Sequence, residues 1–68
     1  MEVYKRIKSY INDLGLKQGK VAEKAGYDAK KFSAMMNGKR KIYAEDLAKI
    51  CSALDVSPEQ FIPHKKLA

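Results

Sequence analysis

The chain holds one cysteine, Cys51, and one histidine, His64, among its 68 residues. A lone cysteine rules out an intrachain disulfide. One His and one Cys cannot assemble a zinc site within a single chain, so no metal or cofactor is expected. No run is apolar for long enough to span a bilayer, and no signal-like apolar stretch stands near Met1, so a reduced, cytoplasmic setting is expected. No segment alternates with period two between hairpin turns, which argues against a β fold. There is no internal repeat and no low-complexity tract. Glu23, Glu45 and Asp46 form no acid–base pair that can be placed in a pocket. A chain this short also lacks room for a deep substrate cleft. No catalytic residue is assigned and an enzyme is not expected.

What is present is one domain's worth of apolar residues, 46% of the chain, and an excess of positive charge. Fourteen Lys+Arg against 8 Asp+Glu give a formal +6. That excess suggests a polyanionic partner, nucleic acid before membrane.

Glycines and prolines divide the chain into five segments with helical periodicity. Glu2 to Leu14 places Val3, Ile7, Ile11 and Leu14 on one stripe, flanked by Tyr4 and Tyr10. Gly15 then fits a left-handed C-cap, with Leu16 packing back over the helix end. Lys17 to Ala25 turns Val21, Ala22 and Ala25 inward before Gly26. Gly19 within it costs roughly 1 kcal/mol relative to alanine. A third helix starts at Asp28, a good N-cap, carries Phe32, Met35 and Met36 inward, and ends at Asn37-Gly38. A fourth, about Ala44 to Leu54, aligns Leu47, Ile50, Cys51 and Leu54, although Ile42-Tyr43 offers no standard cap. Ser57-Pro58-Glu59-Gln60 reads as a fifth helix start, stopped by Pro63. Residues 1–63 make the domain and 64–68 a frayed tail. The expected fold is all-α, a compact five-helix bundle.

The unit with functional content is Gln18 to Gly38: a short helix, a turn opened by Gly26, and a second helix from Asp28. This is the helix-turn-helix layout. The stretch LKQGKVAEKAGYDAKKFSAMMNGKRK, residues 16 to 41, resembles the DNA-binding domain of the lambda-repressor and Cro family, also called the xenobiotic-response-element type. LAKICSALDVSPEQFI at 47 to 62 resembles that family's fourth and fifth helices, so the likeness covers roughly residues 3–62. The resemblance implies that Ala29, Lys30, Ser33 and Ala34 face base edges. Lys30 would donate to guanine, and the alanines would either pack on a thymine methyl or admit the backbone closer to the groove. It implies phosphate contacts from Lys17, Gln18, Lys31, Asn37, Lys39, Arg40, Lys41 and Tyr43.

The chain departs from the family pattern at Gly19, at Tyr43 where a Ser or Thr cap is common, and at Met36 where Glu is frequent. Positions 29, 30 and 34 also lack the long amide side chains many members use to read adenine, so the expected specificity is either modest or carried by DNA shape. Lys5, Arg6, Lys8, Lys65 and Lys66 read as a solvated surface.

The expected function is a bacterial or phage-encoded transcriptional regulator. It would be a homodimer repressing by occlusion of a two-fold symmetric double-stranded DNA operator, with dimer contacts from Val56, Phe61, Ile62 and Leu67. A protein-interaction or antitoxin-like module on the same fold is the alternative. Membrane-surface binding fits poorly, because the apolar stripes are needed for the core. The residues name no small-molecule effector.

Overall fold

In a computed structural model that describes residues 3–62, the sequence folds into four α-helices and no strand among the described residues. These are α1 (Val3–Asp13), α2 (Gln18–Ala25), α3 (Ala29–Met36) and α4 (Ala44–Leu54). α2 packs on both α3 and α4, and α1 packs on α3. The stripes read from the sequence converge on one core. Ile7 and Ile11 from α1, Val21, Ala22 and Ala25 from α2, Phe32, Met35 and Met36 from α3, and Ile50 and Cys51 from α4 are all buried. Burial pushes the Cys51 thiol above its ordinary pKa, as desolvation opposes the thiolate. Burying a side chain the size of Phe32 or Met35 stabilises by about 1.5–3 kcal/mol.

The expected fifth helix is instead a single 3-10 turn, Pro58–Gln60, packed on α4. Its start is as read: Ser57 Oγ accepts the Glu59 N–H at 3.4 Å and Pro58 follows. It does not propagate, because helix initiation is costly and only Phe61 and Ile62 follow as apolar residues. Ile62 also precedes Pro63, and that position disfavours helical backbone. Pro63 itself and residues 64–68 lie outside the described residues. Phe61 is buried rather than available to a partner, and its ring meets Tyr10 edge-on at 5.4 Å. Val56 is half-buried against the core, leaving Ile62 exposed.

Two more expectations need correction. Leu14 and Leu16 are exposed, because α1 ends at Asp13 and the chain turns away at Gly15 before the apolar stripe can continue. Asp28 is the N-cap residue of α3, yet its side chain makes no capping hydrogen bond.

Candidate nucleic-acid interface

The turn between α2 and α3 is Gly26, Tyr27 and Asp28. Gly26 has φ +84°, a conformation that a β-carbon resists. It aligns its own N–H with the Glu23 carbonyl at 3.1 Å and that of Tyr27 with the Ala22 carbonyl at 2.8 Å. Ala22 is buried at that corner and keeps the two helices close. α3 is thereby split lengthwise. Phe32, Met35 and Met36 are at most 1% exposed, while Ala29 and Lys30 are exposed and Ser33 and Ala34 half-exposed. The four residues expected to face bases lie on the side the core leaves free.

Tyr27, overlooked in the sequence pattern, locks this arrangement. Its hydroxyl donates to Asp46 Oδ1 at 2.5 Å, and Asp46 Oδ2 accepts the Tyr43 N–H at 2.9 Å. One carboxylate thus ties the turn to the start of α4. It also supplies the cap that Ile42-Tyr43 lacks, as half of a capping box. The phenol's pKa is pushed up to about 12, by burial first and then by its hydrogen bond to the carboxylate. Asp46 is held below the usual carboxylate range, by the Tyr27 hydroxyl first and the Tyr43 amide second. The ammonium groups of Lys31 and Lys49 stand 5.5 Å and 5.6 Å from the Tyr27 ring centroid, within cation–π range. Lys31, expected on phosphate, is therefore held beside the turn. A bulky tyrosine just after Gly26 was the available signal, but its partner lies 19 positions away.

Beyond α3 the chain wraps back on itself. The N–H groups of Lys39 and Arg40 both donate to the Ala34 carbonyl, at 2.9 and 3.2 Å. Gly38, at φ +76°, makes the reversal. A β-carbon there would fall 2.6 Å from the Tyr4 ring, so α1 lies directly over this loop. Tyr4 and the segment Gly38 to Ile42 line a surface cleft of about 400 Å³ that brings Lys39, Arg40 and Lys41 together. Asn37 and these three basic residues are exposed. Lys8, read as a solvated surface residue, donates from Nζ to Asn37 Oδ1 at 3.3 Å.

Lys17 is the N-cap residue of α2 and Gln18 its first helical residue, half-buried. The Lys20 N–H donates to the Lys17 carbonyl at 3.0 Å, and the amides ahead of it carry the positive end of the helix dipole. Tyr43, the N-cap residue of α4, is exposed. No helix among the described residues is long and apolar enough to cross a membrane.

These features have known counterparts. No curated protein matches the sequence. The fold is similar to the crystal structure of the restriction-modification controller protein C.AhdI from Aeromonas hydrophila, with a TM-score of 0.81 and 23% identity. That match covers 88% of this chain and 91% of the other. The family comparison is direct: residues 6–66 match the Cro/C1-type HTH DNA-binding domain, a family of DNA-binding domains and not of enzymes, and the chain belongs to it.

Proposed function

We propose that this protein is a sequence-specific regulator of transcription that places α3 in the major groove of double-stranded DNA and represses by occluding an operator. The observation that carries the reading is the division of α3 into a buried face and a free one, with a basic loop at its end. In this reading Ala29, Lys30, Ser33 and Ala34 meet base edges. Lys17, Gln18, Lys31, Asn37, Lys39, Arg40, Lys41 and Tyr43 grip flanking phosphates, which supply affinity without reading sequence. Family membership supports DNA as the partner. The similarity in fold to a restriction-modification controller protein is in keeping with a regulatory role.

One recognition helix touches few base pairs, so the protein acts as a homodimer. Its two α3 helices lie about 34 Å apart on a two-fold symmetric site. Of the residues expected at that interface, Ile62 is exposed beside the 3-10 turn, while Phe61 is buried and Val56 half-buried. Such a repressor, bacterial or phage-encoded, works in the cytoplasm.

Selection of duplexes from a random pool, followed by a salt series on the winners, tests the reading. A symmetric site is expected. Lys30→Ala should relax preference at one base pair and cost about 1–3 kcal/mol on the selected site. Lys39→Ala should weaken all sequences alike and flatten the salt slope by about one unit. Absence of binding to any duplex at low salt would leave the fold serving as a protein-interaction module.

A further inference from the structure

Lys8 lies on α1, outside the helix-turn-helix, yet it begins a chain of hydrogen bonds that ends on α3. Its Nζ donates to Asn37 Oδ1 at 3.3 Å, and Asn37 Nδ2 donates to Ser33 Oγ at 3.4 Å. An ammonium offers only hydrogens, so it selects the Asn37 amide orientation whose oxygen faces α1. The amide NH2 then faces α3. One of its hydrogens goes to Ser33, and the other stays free for a phosphate. With Oγ already accepting, the Ser33 hydroxyl hydrogen has no acceptor among the described residues.

We infer that Lys8 is a positioning residue for base recognition: by fixing the Asn37 amide, it makes Ser33 a hydrogen-bond donor toward the DNA. At the base pair it faces, Ser33 then has its hydrogen for an acceptor edge, such as guanine O6 and N7 or thymine O4, and, with one of its two lone pairs already spent on Asn37, less to offer the amino group of cytosine. Without Lys8 the Asn37 amide is free to turn its oxygen toward Ser33 and capture that hydrogen, which leaves only lone pairs facing outward. The inference rests on α3 being the recognition helix.

The test is selection from a random duplex pool with wild type, Lys8→Met, Lys8→Arg, Ser33→Ala and the Lys8→Met/Ser33→Ala double variant. Each protein is first checked for native helix content by circular dichroism. Wild type should prefer acceptor-bearing bases at one position by about three- to tenfold, the range one hydrogen bond commands. Lys8→Met should flatten that position and leave the others, while Lys8→Arg keeps the donor and restores the preference. The double variant should discriminate no worse at that position than Ser33→Ala alone, because both changes remove the same interaction. If Lys8→Met instead weakens every duplex by one factor and keeps the preference, Lys8 is a backbone contact and the inference is overturned. A wild type that binds no duplex would overturn the DNA reading itself.

Discussion

Both ends of α3 are anchored in the core, but the side-chain braces beside them differ: at the leading end a buried phenol is bonded at 2.5 Å to a carboxylate that also caps α4, whereas at the trailing end exposed side chains meet at 3.3 and 3.4 Å. The leading brace ties the turn to the start of α4 through Tyr27, Asp46 and Tyr43. The trailing brace links the side chains of Lys8, Asn37 and Ser33. Hydrogen bonds shielded from water and made to a charged group are the stronger kind, so of the two braces the leading one adds more to the hold the core has on α3. The trailing end, open to solvent, contributes little to stability and is free to be matched to a ligand.

Breaking the leading brace should cost most. Asp46→Ala removes the Tyr27 partner and the α4 cap together, and a loss of about 2–3 kcal/mol is expected in denaturant unfolding. Gly38→Ala acts on the trailing end through the backbone. The left-handed φ costs about 1–2 kcal/mol, and the new β-carbon displaces the end of Tyr4 from the loop.

Tyr27→Phe should cost about 1 kcal/mol and should also alter the pH dependence of unfolding. With a folded pKa of about 12 against an ordinary 10.0, the contribution of Tyr27 is full below pH 10. As pH rises from 10 to 12 the unfolded chain sheds its proton first, so stability falls; Tyr27→Phe should lack that slope. Asp46 acts in the opposite sense. Its contribution is full above the ordinary value of 3.8 and is lost as pH falls through its lower folded pKa. Tyr27→Phe should shrink this acid-side loss too, since Tyr27 is the main cause of that shift. Lys8→Met, at the exposed brace, should change stability by less than about 0.5 kcal/mol.

The same contrast explains what was legible beforehand. The α3 stripe of Phe32, Met35 and Met36 and the Gly26 turn follow from local rules of spacing and turn chemistry, and the structure has them as read; α4 also spans Ala44–Leu54 as its stripe suggests, although no standard cap residue marks its start. Tyr27–Asp46 and Lys8–Asn37 are pairings across 19 and 29 positions, which no periodicity announces. The 3-10 turn was misread for a related reason. Ser57-Pro58 correctly signals a start, but the length of a helix depends on the apolar surface it goes on to bury, and here Phe61 reaches the core at once. Candidate base contacts came from the family resemblance. Exposure of Ala29 and Lys30 leaves them available without naming the bases they would meet.

The most direct test of the central claim is a backbone-amide NMR titration of the protein with a duplex at low salt. The account predicts shifts at residues 17–19, 29–34 and 37–41, with the buried residues of α4 unmoved. Shifts confined to Leu16, Lys20, Lys24 and Leu54, which line a groove between α2 and the end of α4, or no shifts at all, would contradict it.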